Sequence, residues 1–352
     1  MRHRKGIACA KPSLPDASPA LRGNLDIRNG WLSIEGMKRA IFLGAAGCAI
    51  AGAALPRCAR AAEADYQLHT VTGTIDGTID TLGGRSPVVL IIAGSGPTDR
   101  NGNSTLGIDP DTYRLLASDL EHRSIASLRY DKRGVGASAA AGPSEQDLRF
   151  DTYIEDAAAW IRQLRADGRF TRIVVAGHSE GSLIGIVAAQ RAPADAFVSL
   201  EGAGRPIYTV LREQLKPKLP AQLYAQADAI MTSLQAGKMV AQIPPELNAL
   251  FRPTVQPYLI SWFKYDPAVE IAKLRIPVTI VQGTADVQVT MVDAEALHRA
   301  NAASQLVVVQ GMNHVLKYSP DVSSEAAILK GYQNPSLPVD PQVVNAVASA
   351  CV

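Results

Sequence analysis

Cysteine, aromatic side chains and charge are all scarce in this chain. Of its 352 residues, four are cysteines, 5% are aromatic and 19% are charged. Three of the cysteines, Cys9, Cys48 and Cys58, lie near the N-terminus, so that only Cys351 remains in the rest of the chain. A lone cysteine cannot form an internal disulfide, which excludes a disulfide-stabilised fold. With 47% hydrophobic residues, the chain is expected to fold around a hydrophobic core.

Motifs for phosphate, dinucleotide and metal binding are also missing. The chain contains no G-x-x-x-x-G-K-[ST] loop, no G-x-G-x-x-G fingerprint and no cluster of residues with metal-ligand spacing. No internal repeat or low-complexity tract is present either. The sequence therefore predicts no cofactor.

The N-terminal segment has the layout of a secretory signal peptide. Residues 37–39 supply positive charge, residues 40–55 are apolar, and an A-x-A pattern ends at Ala61. These features predict a signal peptide over residues 37–61, cleaved after Ala61, and a periplasmic or secreted protein. Residues 1–36 are then either an over-long start or an unusually long n-region.

An uncleaved membrane anchor is the alternative to cleavage. The apolar run 40–55 has 16 residues, whereas a membrane-spanning helix needs about 20. Pro56 and the small residues around it favour processing. No stable membrane span is therefore expected in the mature protein.

The net charge argues against nucleic acid as a partner. Residues 1–61 carry ten Lys or Arg and three Asp or Glu, a net charge of +7. Subtracting this from +2 for the whole chain leaves −5 for the mature part. A mildly acidic surface does not attract the phosphate backbone. The expected partner is a small-molecule substrate, and the sequence leaves the oligomeric state open.

Six continuous apolar runs predict the strands of a buried sheet. Strands that are apolar on both faces are typical of parallel sheets covered by helices on each side. An earlier segment, residues 66–82, alternates in polarity and predicts an antiparallel hairpin that opens the sheet. The six runs are residues 87–94, 124–130, 172–177, 196–202, 276–283 and 304–311.

Helical patterns alternate with these strands. This order predicts a doubly wound α/β fold, with a mostly parallel central sheet and helices on both faces. Residues 203–272 interrupt the order, because they contain many prolines and no buried-strand run. We interpret them as an inserted helical cap between two parts of the core, residues 62–202 and 273–352. The predicted core helices are residues 111–122, 150–167, 181–192 and 290–302.

The motif "GHSEG" places Ser179 between a predicted strand and a predicted helix. A turn this tight needs small residues on both flanks, and Gly177 and Gly181 provide them. The serine hydroxyl is then exposed at the carboxyl end of the sheet, which predicts a nucleophile. The alternative is an ordinary serine in a glycine-rich loop.

A nucleophilic serine needs a base, and His314 is the predicted one. It follows the last predicted strand, where the loops at the carboxyl ends of parallel strands come together. His178 adjoins Ser179, but neighbours in such a turn point to different sides. The other histidines of the mature chain lie in the hairpin or in helices: His69, His122 and His298.

The base in turn needs a carboxylate to fix its tautomer. Asp286 follows the preceding strand and is the predicted residue, whereas its rival Asp266 precedes a proline and is expected to serve a turn. The resulting order, Ser179, Asp286, His314, is the order found in α/β-hydrolases.

Two backbone N–H groups are expected to hold the oxyanion. One belongs to Glu180, the residue after the nucleophile, and the other to Ser95, in the loop after the strand 87–94. The Glu180 carboxylate is expected to stabilise the first turn of its helix. Binding of a substrate amine is the alternative role for this side chain.

Several motifs in order along the chain carry a family resemblance: "AGSGPTDRNG", "YDKRGVGAS", "GHSEG", "LEGAGRP" and "GMNHVLK". Together they resemble the bacterial α/β-hydrolase-fold esterases and the serine-aminopeptidase-like branch of that superfamily, from about residue 66 to the C-terminus. The resemblance implies the α/β-hydrolase fold. Ala93 stands where many relatives have His, which removes one supporting hydrogen bond.

The combined pattern predicts a serine hydrolase for carboxylic esters of short to medium acyl chains, acting through an acyl-enzyme. The alternatives are a peptidase or amidase for small substrates, and a hydrolase-fold protein that binds a ligand without turnover. Aromatic residues cluster in the second half of the inserted segment and predict an apolar substrate wall, made by Tyr258, Trp262 and Phe263. Packing of these residues in the core is the alternative.

Overall fold

The structure is a computed structural model that describes residues 62–352. The predicted signal peptide, residues 37–61, and the segment before it lie outside the described residues, so that cleavage after Ala61 stays a prediction. Within the described part, none of the helices combines the length and the hydrophobicity that a membrane crossing requires.

One eight-stranded sheet forms the centre of the described chain, with the strand order β1-β2-β4-β3-β5-β6-β7-β8. The first two strands form the predicted hairpin, β2 also pairs antiparallel with β4, and all later pairs are parallel. The strands are β1 (Ala62–Thr70), β2 (Gly73–Thr81), β3 (Ser86–Ile92), β4 (Ala126–Tyr130), β5 (Phe170–His178), β6 (Ala196–Leu200), β7 (Val278–Gly283) and β8 (Gln305–Val309). The predicted mostly parallel α/β sheet is confirmed.

Helices cover both faces of this sheet. The α-helices of the described part are α1 (Thr112–Glu121), α2 (Phe150–Ala166), α3 (Glu180–Arg191), α4 (Ile207–Leu215), α5 (Ala221–Gln235), α6 (Asn248–Phe251), α7 (Gln256–Trp262), α8 (Pro267–Ile271), α9 (Met291–Ala300), α10 (Glu325–Tyr332) and α11 (Pro341–Ser349). Strand β3 is apolar on both faces, so each face has to be covered by helices. Val88 and Leu90 pack with α2 and α3, while Val89 and Ile91 pack on the opposite side with α1 and α11.

Strand β8 differs from the other predicted strands. Its sequence predicts burial on both faces, but most of its side chains are exposed or half-buried, and Val308 is 37% exposed. The reason is its position at the edge of the sheet, where β7 is its one neighbouring strand among residues 62–352. Hydrophobicity alone does not distinguish an edge strand from a central one.

Residues 203–272 lie between β6 and β7 and contain helices α4–α8 and no strand. Prolines stand at the starts of several of these helices. The N–H groups of a first helical turn have no partner within the helix, so a residue without an N–H is tolerated there. Phe251 and Trp262 from this segment pack in the same hydrophobic cluster as Phe150 of α2. The separation into a core and a cap stays a prediction.

Candidate active site

Ser179 occupies a sharp turn between β5 and α3. Its backbone angles are φ 53° and ψ −120°, a left-handed conformation that is strained for a residue with a side chain. The flanking glycines are required by close backbone contacts, because a Cβ on Gly177 would collide with the Gly181 carbonyl. A Cβ on Gly181 would collide with the carbonyl of Ile92 in β3. The sequence thus forces the serine to stand at the carboxyl end of the sheet.

The structure brings His314 and Asp286 together from the loops after β8 and β7. The distance between His314 Nδ1 and Asp286 Oδ2 is 2.7 Å, and both side chains are buried. Asp286 Oδ1 also accepts hydrogen bonds from the backbone N–H groups of Gln288 and Val289. Burial alone would raise the pKa of Asp286, but the contact with His314 lowers it below its usual value. The carboxylate is therefore held ionised against the imidazole.

The rival carboxylate, Asp266, lies elsewhere. It is the N-cap of α8, and its side chain accepts a hydrogen bond of 3.0 Å from the Ala268 N–H. This is a helix-capping role, consistent with a carboxylate before proline.

Ser179 and His314 line one cavity of about 360 Å³, which we call the Ser179 cavity. Ser95 lines the same cavity, from the loop after β3. Its apolar wall comes from the 95–110 loop, the loops after β7 and β8, and helix α10: Leu106, Ile108, Val287, Val315, Ile328, Leu329 and Tyr332. The size and the apolar lining are typical of a small-molecule site.

The predicted oxyanion groups flank Ser179. Glu180 is the first residue of α3, where backbone N–H groups have no partner within the helix. The loop with Ser95 approaches closely, since a Cβ added to Gly94 would lie 3.2 Å from the Ser179 Cβ. These positions fit two N–H donors on one side of the nucleophile.

The Glu180 side chain is engaged in a buried ion pair. Its Oε1 lies 2.9 Å from Lys132 Nζ, and each side chain is only 1% exposed. Lys132 Nζ also donates to the Gly94 carbonyl at 2.6 Å. The pair therefore fastens the first turn of α3 to the loop that carries Ser95.

A second hydrogen-bond network, which no sequence motif indicates, connects Tyr113 and His178. His178 Nε2 lies 2.7 Å from the His314 carbonyl oxygen, which can only accept, so that Nε2 carries the proton. His178 Nδ1 then accepts from the Tyr113 hydroxyl at 2.7 Å, and this hydroxyl accepts from the Gly94 N–H. Burial lowers the pKa of His178 to about 3, which keeps the ring neutral. His178 is thus structural, as expected, but it bonds to the backbone of the predicted base.

The aromatic residues predicted to bind substrate are not on the Ser179 cavity. Tyr258 and Trp262 line a second cavity of about 380 Å³, called here the Glu180 cavity, which shares residues 95–97 with the Ser179 cavity. Trp262 stacks on Phe150 with ring centroids 5.3 Å apart, and Phe263 packs against Tyr208. Tyr258 and Trp262 pack onto α2 and Phe263 packs onto α4, while their part in substrate binding stays a prediction.

Glu201 is a further residue near the site that the sequence motifs did not predict. It follows β6, it is 0% exposed, and it adopts a positive φ of 50°. The signal that could have found it is an acidic residue directly after the buried strand "AFVSL". Within residues 62–352, Glu201, Asp286 and His314 form a group whose potential metal-ligand atoms lie within 4.8 Å of one another. Asp286 and His314 are already bonded to each other, so we assign no metal to this group.

Comparison with known proteins finds both a family and a relative that are similar in sequence. Residues 109–243, which include Ser179, match the serine aminopeptidase family, S33. The chain is 27% identical over 289 residues to Esterase EstD of Thermotoga maritima, covering 81% of this chain and 66% of that protein. Asp286 and His314 lie C-terminal to the residues that match this family.

Solved structures share the fold. Est1E from Butyrivibrio proteoclasticus superposes with a TM-score of 0.51 at 19% identity, covering 75% of this chain and 96% of that one. Pyrococcus furiosus esterase Pf2001 gives a TM-score of 0.51 at 17% identity, covering 78% and 92%. The chain therefore has the α/β-hydrolase fold, and in sequence it is related to a bacterial esterase and, around Ser179, to serine aminopeptidases.

Proposed function

We propose that the protein is a serine hydrolase that cleaves carboxylic esters of short to medium acyl chains through an acyl-enzyme. The observation that carries the proposal is the strained turn of Ser179, which shares one apolar cavity with a histidine that a buried carboxylate holds in place. Similarity to a named esterase supports the same reaction class.

In the proposed mechanism, Ser179 Oγ attacks the ester carbonyl carbon and its proton passes to His314. Because His314 Nδ1 is bonded to Asp286, Nε2 is the ring atom that takes this proton. The backbone N–H groups of Ser95 and Glu180 stabilise the oxyanion. Collapse of the intermediate releases the alcohol, which leaves with the proton from His314. Water then adds to the acyl-enzyme with His314 again as base, and His314 returns this proton to Ser179 Oγ as the acid departs.

The acyl preference follows from the Ser179 cavity. Each methylene that enters its apolar part gains up to about 0.8 kcal/mol until the cavity is full. We therefore propose that kcat/KM rises from acetyl to butyryl or hexanoyl p-nitrophenyl esters and then falls for longer chains. Tyr258 and Trp262 contact only the part of a substrate that enters the Glu180 cavity.

A peptidase of the aminopeptidase type is the second candidate, because the family matched around Ser179 carries that description. An aminopeptidase needs a free acidic group for the substrate amine. The Glu180 carboxylate is occupied by Lys132 in a buried pair, so it is not free to bind an amine, whereas Glu325 at the Ser179 cavity is exposed. Comparing p-nitrophenyl esters with aminoacyl p-nitroanilides on the same preparation distinguishes the two, since the esterase proposal fails if any anilide is cleaved faster than every ester.

A binding protein without turnover is distinguished by covalent labelling. A fluorophosphonate probe should label Ser179, as identified by peptide mass spectrometry, and His314→Ala should suppress the labelling. A wild-type protein that resists the probe at saturating concentration would contradict a working nucleophile.

We also propose a periplasmic or secreted location, based on the signal-peptide pattern of residues 37–61. The mature protein should begin at Ala62. Intact-mass measurement of protein from the periplasm or medium tests this, because protein that retains residues 40–55 would instead indicate an anchor.

A further inference from the structure

Glu201 is a buried carboxyl group that the mechanism above does not use. It lies where β6 ends, beside the end of β7, and none of its surface is exposed. Its Oε1 accepts a 2.8 Å hydrogen bond from the Gly283 N–H, and its Oε2 contacts Gln282 Nε2. Gly283 is the last residue of β7, directly before the loop that carries Asp286, so that Glu201 holds the start of this loop.

Glu201 also reaches the site itself. One carboxyl oxygen of Glu201, one of Asp286 and a ring nitrogen of His314 lie within 4.8 Å of one another, all buried. Two carboxyl groups this close in a dry site do not ionise together, because the repulsion between like charges is not screened by water. One of the two must be neutral. The other titratable group that interacts with both carboxyl groups is Tyr332 of α10.

Both carboxyl groups accept two N–H hydrogen bonds, so the contact of Asp286 with His314 decides which one is neutral. Asp286 accepts from two backbone N–H groups and bonds to His314, an arrangement that favours the carboxylate. Glu201 has no cation among its hydrogen-bond partners, and burial, followed by the charge of Asp286, raises its pKa well above the usual range. Glu201 therefore carries the proton and can donate it in a hydrogen bond to Asp286.

We propose that Glu201 is a positioning residue: as a neutral acid it donates a hydrogen bond to Asp286 and thereby keeps that carboxylate ionised and oriented toward His314. This inference rests on the proposed function. The Glu201 proton stays on Glu201 throughout the cycle. The protons that move are that of Ser179, which passes to His314 and on to the leaving alcohol, and one from water, which passes to His314 and on to Ser179. Sites in which an outer residue orients a reactive one lose activity when that residue is removed.

Two substitutions separate this role from a purely structural one. Glu201→Gln keeps an oxygen for the Gly283 N–H and an N–H for Asp286, and the Gln282 Oε1 atom, which has no partner within the described residues, can turn toward the new amide. We expect it to lose less than about threefold in kcat and to keep the acid limb of the kcat/KM pH profile. Glu201→Leu has no donor. We expect it to lose about 10- to 100-fold in kcat, and its acid limb to move to higher pH because Asp286 holds imidazolium more tightly.

The pH profile also gives the outcomes that overturn the proposal. If Glu201 were ionised, Glu201→Gln would remove a negative charge near His314 and shift the acid limb about one unit or more to lower pH. A Glu201→Leu variant with wild-type kcat and an unchanged profile would show that the residue positions nothing. Asp80→Asn is the matched control, since Asp80 is a buried carboxyl group on β2, and it should leave the profile unchanged.

An infrared measurement separates failure of this proposal from failure of the proposed function. At pH 7, the difference spectrum between wild type and Glu201→Gln should contain the carbonyl stretch of a protonated carboxyl group, shifted by exchange into D₂O. The difference is needed because Asp80 and Asp156 are also buried, with raised pKa values. The absence of this band overturns the inference whether or not the protein cleaves esters. Its presence in a protein without esterase activity rejects the proposed function and leaves the protonated Glu201 established.

Discussion

Two cavities of nearly equal size share residues 95–97 in their walls, and they differ in the groups that line them. The Ser179 cavity is apolar on most of its wall, and its reactive groups, Ser179 and His314, face the open space. The Glu180 cavity contains the buried pair of Lys132 and Glu180 and, at its rim, the contact of Arg252 with Glu145. The charged groups named in the Glu180 cavity are paired with each other and stabilise the structure. In the Ser179 cavity, the serine and the histidine line the open space and can react with a substrate.

The largest expected effect is at Ser179. Ser179→Ala should reduce kcat for p-nitrophenyl butyrate by about 10⁶-fold, and His314→Ala nearly as much, because the two residues act as one unit. Thermal unfolding should change little, since the substitution removes only one hydroxyl. Ser118→Ala on α1, outside both cavities, is the control. Substantial residual turnover in Ser179→Ala would remove the distinction between the two cavities.

The next effect concerns the carboxylate. Asp286→Asn should lower kcat by about 10⁴-fold, because the amide no longer fixes the tautomer of His314. Asp266→Asn, at the N-cap of α8, should cost at most about 1 kcal/mol of unfolding free energy and leave kcat close to wild type. If the Asp266 variant lost more activity than the Asp286 variant, the assignment of the acid would be reversed.

In the Glu180 cavity the main expected effect is a loss of stability. Lys132→Met leaves the Glu180 carboxylate buried without its partner and should lower the unfolding free energy by about 3–5 kcal/mol, measured by urea denaturation. Lys273→Met, which removes an exposed partner of Glu270, should cost less than about 1 kcal/mol. Equal losses in the two variants would show that the buried pair is not a structural element.

The smallest effect is on acyl preference. Leu329→Ala on α10 enlarges the Ser179 cavity and should move the best p-nitrophenyl ester to a longer acyl chain, with a change of about fourfold in relative kcat/KM per methylene. Tyr258→Phe, in the Glu180 cavity, should leave the optimum where it is. If the optimum shifted in the Tyr258 variant and stayed unchanged in the Leu329 variant, the acyl group would bind in the Glu180 cavity.

The sequence by itself determined the features that depend on neighbouring residues. Apolar runs specified the central strands, and Gly177 and Gly181 specified the turn at Ser179, because backbone contacts across that turn exclude any side chain. The positions of Asp286 and His314 directly after strands were also readable, since parallel strands present their carboxyl ends at one edge of the sheet.

Only the tertiary structure decided which distant side chains meet. Glu201 reaches Asp286 across adjacent strands, and Tyr113 reaches His178 over 65 positions of sequence. Helical periodicity does not distinguish a position of Tyr258 and Trp262 on a cavity wall from packing on α2. Both environments require apolar side chains at the same helical spacing. The positions of these side chains depend on contacts between residues that are distant in sequence, and no local sequence pattern specifies such contacts.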